Sequence, residues 1–416
     1  MRSLSFGLVS TFYPPHSFGG DAVHVERLAE GLVRRGHRVR VVHARAAHGL
    51  LAPGGPVATP HETPVEVHGD TPGRFGVAAT YLTGRPLGYR SRLTELLSDV
   101  DVVHFHNPSL LGGPGSFDIG ASLRLYTAHE HWLLCPTHVL FRYDKEVCTR
   151  RTCWRCTAVA HRPPQLWRST PLLERSVREL DLVFTPSRFT ADLHREAFPE
   201  MPLAVLPLPG PAADALKDLP TLPQPRPFFF FAGRLEPIKG ARLLAEAFAG
   251  VTGADLVIAG DGSERPAIEV LAAANPAIRL RGWRAGADVL ALCRDAVAVV
   301  VPSPGYETYG GVAVDAMALG TPALVRDLGP LPELVAGGGG LTFASDDELR
   351  GQMRRLLDEE GLARRLGEAA LVEYHRARTE EKFFRSYFGH LAEVADRRGR
   401  HAVADAASSA AAREAA

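Results

Sequence analysis

The chain has 416 residues, 45% hydrophobic and 23% charged, a mixture that builds two or three globular domains and excludes a fibre, a short peptide or a wholly disordered chain. Lys plus Arg and Asp plus Glu stand at 47 each, so no overall field steers a polyanion and a dedicated nucleic-acid binder is disfavoured. No stretch approaches the roughly 20 apolar residues of a spanning helix, no cleavage pattern precedes Pro14-Pro15, and five cysteines are too few to replace a core, so a cytoplasmic protein is expected.

An apolar run over residues 4–9 predicts a strand that empties into a Pro and Gly loop ending at Gly19-Gly20. Val25, Leu28, Ala29, Leu32 and Val33 then keep helical spacing, with Asp21 as the expected N-cap and Gly36 as the stop. Residues 39–42 resume a strand, which completes a βαβ unit and implies a parallel sheet covered on both faces. Residues 101–105, 123–127 and 182–185 read as further strands. Eight prolines between Pro202 and Pro227 mark a boundary. A second βα series starts at 228–231 and repeats at 256–259, 278–280, 297–301 and 322–325. The class is α/β, two doubly wound Rossmann-like domains facing a central cleft, where ligands bind at strand ends. The expected divisions are 1–207 with a Cys-rich insertion at 129–164, a Pro-rich linker 208–227, 228–378, a helix 379–396 returning to the first domain, and an Ala-rich disordered tail 397–416.

After the strand at 228–231 comes Gly233-Arg234-Leu235-Glu236-Pro237-Ile238-Lys239-Gly240. An Arg fork and a Lys point charge on a loop leading into a helix suit an anion. A triphosphatase phosphate loop is excluded, because Ile238 and Gly240 stand where it needs Gly and Ser or Thr. Only four lysines occur beside 43 arginines, and one is here. After the strand ending at 301, Glu307 lies in the loop, Gly310 and Gly311 let amides approach a ligand, and Asp315 follows on the next helix. Carboxylates suit sugar hydroxyls and helix N-terminal amides suit a diphosphate. Of 17 histidines, 14 precede residue 200 and none falls between Phe228 and Ala370, so imidazole chemistry belongs to the first domain. His129 follows a strand end, with His104 and His106 as alternatives. Cys135, Cys148, Cys153 and Cys156 fall within 22 residues and predict a structural Zn²⁺, with reduced thiols or disulfides as the alternatives. Arg150, Arg151 and Arg155 give that segment a basic face that could meet an anionic acceptor or a membrane surface.

The chain resembles the family-4 retaining glycosyltransferases of GT-B fold over nearly all of residues 1–395. The matching pieces are the Gly19-Gly20 loop, Arg-Gly-His at 35–37, Gly233-Arg234 with Lys239-Gly240, Gly260-Asp261-Gly262, Arg281-Gly282-Trp283, and the element from Glu307 to Asp315. The family has a second Glu where this chain has Asp315. The resemblance implies a nucleotide-diphosphate sugar donor, with Arg234 and Lys239 on the diphosphate, Glu307 on a sugar hydroxyl, and the backbone amides around Tyr309, Gly310 and Gly311, with Thr308 beside them, at the sugar and phosphate. It puts Trp283 and Arg284 at the base, Asp315 at the ribose, His129 near the reacting carbon, and the Gly19-Gly20 loop over the phosphates. Asp99-Val100-Asp101 has a metal-motif form but precedes a buried strand, so no catalytic metal is expected. The acceptor, a secondary metabolite, a glycan precursor or a lipid-linked sugar, would be chosen by segments 49–86 and 129–164. A nucleotide-sugar epimerase and a non-catalytic sugar-nucleotide binder are the alternative readings.

Overall fold

The computed structural model describes residues 2–17, 19–51, 64–69, 72–120 and 122–415. In chain order its strands are β1 (Ser5–Ser10), β2 (Arg38–Val42), β3 (Glu66–His68), β4 (Val102–Asn107), β5 (Leu123–Thr127), β6 (Phe141–Arg142), β7 (Glu146–Val147), β8 (Leu182–Thr185) and β9 (Leu203–Val205). They continue with β10 (Phe228–Ala232), β11 (Asp255–Ala259), β12 (Ile278–Gly282), β13 (Ala298–Val301), β14 (Ala323–Arg326) and β15 (Gly340–Phe343). The chain divides into two compact units: Met1–His138, Thr152–Leu206 and Phe384–Ala416 form the first, and Val139–Arg151 with Pro207–Phe383 the second.

In the first unit a parallel sheet runs in the order β3-β2-β1-β4-β5-β8-β9. β1, β4 and β8 are buried along their whole length, because helices cover both faces and the strands read as continuous apolar runs rather than alternating ones. The order reverses between β1 and β4, which makes their carboxyl ends the topological switch point where open sheets bind ligands. The helix Gly20–Arg34 follows β1 directly. The core beside this sheet gathers Phe105, Phe117, Trp132 and Trp167.

The second unit repeats the plan in the order β12-β11-β10-β13-β14-β15, with its reversal between β10 and β13. Phe229 and Phe231 of β10 pack with Leu244, Phe248 and Met353 on one face, while Phe228 and Phe230 pack with Leu292 and Cys293 on the other. Residues 139–151, expected within a first-domain insertion, group with this unit, where β6 and β7 pair antiparallel.

The tail corrects an expectation. His401–Arg413 is a helix, not a disordered segment, with Val403, Ala407 and Ala410 buried on one face. These positions recur at i, i+4 and i+7, so small alanines supply an apolar face that lets two backbones approach closely, and Ala has the highest helix propensity. Glu414, just beyond, accepts both arms of the Arg35 guanidinium at 2.7 and 2.8 Å, and Arg35 also sits 3.9 Å over the Phe384 ring. The preceding helix Glu380–Arg397 packs Phe384, Tyr387, Phe388 and Leu391 fully buried.

Candidate functional site

The switch point of the second unit is built from the loops after β10 and β13. Pro237–Lys239 forms one 3₁₀ turn, and Gly240 ends it at φ +70°. A Cβ at Gly240 would lie 2.7 Å from the Pro302 carbonyl oxygen, so only glycine lets the two loops touch. Their contact brings Lys239 to Glu307: Nζ donates to Oε1 at 2.8 Å and Oε2 at 2.7 Å, and Ser303 Oγ donates to Oε1 at 2.6 Å. Burial pushes the Glu307 carboxyl up, but the Lys239 ammonium, the hydrogen bonds from Lys239 and Ser303, and the Arg234 charge together hold it below the usual carboxylate range. Glu307 is therefore a carboxylate at neutral pH, acceptor-only. Arg234, on the same loop, is exposed and adds a second positive charge to this corner.

Gly233 is fixed by the Gly260-Asp261-Gly262 turn, since a Cβ at Gly260 would overlap the Gly233 carbonyl oxygen at 1.9 Å and one at Gly262 would meet the Leu235 backbone. Gly310 caps the helix Gly311–Ala318 at φ +87° without a side-chain cap, and space around Gly311 is open. That leaves first-turn amides directed at the end of β13, an arrangement suited to an anion. Thr308 lies between, partly buried. The Tyr309 side chain points the other way, buried in the core with its hydroxyl donating to the Leu208 carbonyl and receiving from Arg378 at 3.1 Å. Only the backbone of Tyr309 is positioned for a ligand. Asp315 lies on the same helix, and its charge raises the buried Cys293 thiol, though burial does so more. Trp283 is 64% exposed beyond β12, and Arg284 pairs with Asp288 at 3.8 Å. Arg234, Lys239 and Glu307 are thus brought together, while Trp283 and Arg284 lie two strands away across the sheet.

In the first unit the switch point collects histidines. His106 Nδ1 is 2.9 Å from His129 Nε2, and the His24 and His129 rings are 4.9 Å apart. Burial holds His129 down to about 3, and burial also drives His24 and His106 well below the ordinary imidazole value, helped by their neighbours. All three are neutral rings at physiological pH. His104 is different: it bonds Thr127 Oγ1 at 2.8 Å and the Tyr387 hydroxyl at 3.2 Å, which satisfies both nitrogens inside the core. Asp21 does not cap its helix; the cap is Gly19 at φ +107°, with no side-chain bond, and Gly20 opens the first turn with free space beside it. Asp21 instead accepts from Asn107 Nδ2 at 3.2 Å. Burial, then Glu130, push its carboxyl up to about 6. Sequence reasoning missed Asp21 as a site group, His24 and Asn107; the switch-point rule applied to β1 and β4 was the signal that could have found them.

Among the described residues, the group of His, Cys, Asp or Glu side chains placed to share a metal ion is His24, His106 and His129, whose ligand atoms lie within 4.8 Å of one another. The cysteines expected to hold zinc do not form such a group: among the described residues no three of Cys135, Cys148, Cys153 and Cys156 bring their sulfurs within that distance. Cys135 Sγ lies 3.2 Å from Thr137 Oγ1 and Cys156 Sγ 3.8 Å from Thr152 Oγ1, and no disulfide joins any of them. Of the segment expected to choose the acceptor, residues 52–63, 70 and 71 lie outside the described residues.

Comparison with known proteins matches residues 226–359 to the family described as glycosyl transferases group 1 and residues 18–209 to glycosyltransferase family 4. Phosphatidyl-myo-inositol mannosyltransferase of Mycobacterium leprae is 27% identical over 361 residues, 80% of this chain and 82% of that protein. An uncharacterized glycosyltransferase of Methanocaldococcus jannaschii is 37% identical over 111 residues, which span 25% of this chain and only 28% of that protein. Among solved structures, sucrose-phosphate synthase from Thermosynechococcus elongatus superposes with a TM-score of 0.62 at 21% identity, over 92% of this chain and 96% of that one. HepE from Anabaena, solved in complex with UDP, gives 0.65 at 17% identity over 94% and 100%. Two doubly wound sheets in tandem, a carboxyl-terminal helix that rejoins the first unit and family matches in both halves lead to one assignment: the chain belongs to glycosyltransferase family 4 and has the GT-B fold.

Proposed function

We propose that the protein transfers a sugar from a nucleotide-diphosphate donor to an acceptor nucleophile with retention of configuration. The observation that carries this reading is the Lys239–Glu307 pair at the β10/β13 switch point, beside the exposed Arg234 and the uncapped helix at Gly311. Two cations and a set of amides converge where a diphosphate would sit. Departure of the diphosphate builds negative charge there, and preorganised cations stabilise it most in the transition state, so no separate general acid is needed. Glu307, held ionised, accepts hydrogen bonds from donor hydroxyls and keeps Lys239 in place before substrate arrives. His129, neutral, serves as a hydrogen-bond partner near the reacting carbon, and no metal enters the scheme. The solved structure of HepE with UDP, a protein of the same fold, supports a nucleoside diphosphate as the product.

The test is incubation of purified protein with UDP-, GDP-, ADP- and dTDP-sugars and an acceptor panel, followed by NMR of the product anomer. A product with the donor's anomeric configuration is expected. An inverted product overturns the stereochemical assignment, and donor isomerised without any acceptor supports an epimerase instead.

A further inference from the structure

The helix Arg74–Thr83 carries apolar side chains on its outer as well as its inner face. Gly76, Val77 and Thr80 face inward, yet the opposite face, at i, i+3 and i+7, carries Phe75, Ala78 and Leu82, with Phe75 85% and Leu82 49% exposed. Large apolar side chains on the outer face of a helix ordinarily meet another surface. Next to it in the same unit runs the segment from Cys153–Val159 to Leu166, where Trp154 and Leu166 are each 59% exposed. Tyr81 joins the two: its hydroxyl donates to the Pro163 carbonyl at 2.8 Å, and its own carbonyl receives Trp167 Nε1 at 3.0 Å. Beneath them Arg168 stacks 4.5 Å over Trp167 and donates to the Trp132 carbonyl at 2.6 Å, so the platform is firm.

The charge on this face is one-sided. Residues 72–94 and 152–173 contain seven arginines and no Asp or Glu, in a chain whose charges balance overall. Arg90 and Arg92 pair with Asp118 and Glu95 outside the stretches, while Arg74, Arg85 and Arg162 are exposed around the apolar side chains.

We propose that this face of the first unit docks on an anionic lipid bilayer, with Phe75, Leu82, Trp154 and Leu166 entering the interface and Arg74, Arg85 and Arg162 meeting lipid phosphates. Exposed apolar side chains on segments where arginines outnumber the carboxylates that pair with them match a surface that is apolar below and negative above. A second copy of the chain is a poorer occupant, because apposing two such faces would set arginine against arginine. The proposal goes beyond sugar transfer and does not depend on the donor site.

The experiment is flotation of the full chain with vesicles of phosphatidylcholine alone or of equal parts phosphatidylcholine and phosphatidylglycerol. Wild type is expected to float with the anionic vesicles, lose binding in high salt and ignore the neutral ones. Phe75→Ser and Trp154→Ser should each weaken partitioning about tenfold, and Arg74→Ala with Arg85→Ala and Arg162→Ala about a hundredfold. Circular dichroism and nucleotide-induced stabilisation, both expected unchanged, show that fold and donor site survive. Wild type remaining unbound to anionic vesicles, or variants binding as wild type does, overturns the proposal. So does a concentration-dependent dimer that Phe75→Ser dissociates without any vesicle binding, which would make the face an interface between copies.

Discussion

Replacing Lys239 by Ala leaves Glu307 half of its polar environment. Two unit charges about 2.7 Å apart attract by about 6 kcal/mol at an effective dielectric near 20. Side-chain exposures of 26% for Lys239 and 14% for Glu307 reduce the net, and removing one partner of a buried pair costs about 3–5 kcal/mol. Lys239→Ala is therefore expected to destabilise the fold by about 2–4 kcal/mol at pH 7. The pH dependence carries a sharper signature. In the wild type the Glu307 carboxyl is lowered from 4.5, so the pair stabilises the fold above that value, and the contribution is lost as pH falls through the folded one. Without Lys239 burial prevails, the carboxyl rises above its unfolded value, and the sign reverses: the variant recovers stability as pH is lowered from 7 toward 5. Urea denaturation of wild type, Lys239→Ala and the double variant with Glu307→Gln at pH 7 and pH 5 measures this, with the double variant expected to regain part of the loss. A single variant within about 0.5 kcal/mol of wild type, or a deficit that does not shrink at pH 5, refutes the reasoning.

Asp21, raised to about 6 by burial and Glu130, makes the folded state bind an extra proton between about pH 4 and 6, so its penalty grows as pH rises through that window; Asp21→Asn should stabilise the fold by about 1–2 kcal/mol at pH 7 and by nothing near pH 3, read by thermal melts. Arg35→Ala removes both the bidentate bond to Glu414 and the contact over Phe384, and is expected to cost about 2 kcal/mol and to raise hydrogen exchange in His401–Arg413; unchanged exchange there would contradict the packing described. Gly240→Ala forces a Cβ against the Pro302 carbonyl at positive φ, and a loss of about 2 kcal/mol together with weakened nucleotide binding is expected by calorimetry. Micromolar Zn²⁺ should inhibit turnover by taking His129 together with His24 and His106, and EDTA should restore it while leaving untreated enzyme unaffected.

Ten strands were legible, most of them as apolar runs because the inner strands of a parallel sheet are buried on both faces, while β2 and β12 keep arginines between apolar residues. The five strands that escaped are short or at an edge: β3 has three residues, β9 three between prolines, β6 and β7 two each, and β15 starts at the last glycine of a run of four. Their pairing comes from the neighbouring strand, which local sequence does not display. In the site, the loop carrying Arg234 and Lys239 and the loop carrying Glu307 were readable from charge and glycine placement, but their direct contact was not, since it depends on which strands lie side by side. The reading of Tyr309 concerns its backbone amide; where its ring goes was not legible, and the left-handed Gly310 that follows belongs to a turn that leaves the ring in the cluster with Leu331, Leu334 and Tyr374. The cysteines lie close in sequence, which suggested a zinc site, but among the described residues no three of their sulfurs gather in space.

The central claim is that Arg234 and Lys239 hold the diphosphate of a sugar nucleotide. Titration calorimetry of UDP, GDP, ADP and dTDP into wild type and Arg234→Ala tests it most directly, because Arg234 is exposed and its loss should not disturb the fold. The account predicts that one nucleoside diphosphate binds wild type and that the variant binds it about tenfold or more weakly. Binding by none of the four, or equal affinity in both proteins, would contradict it.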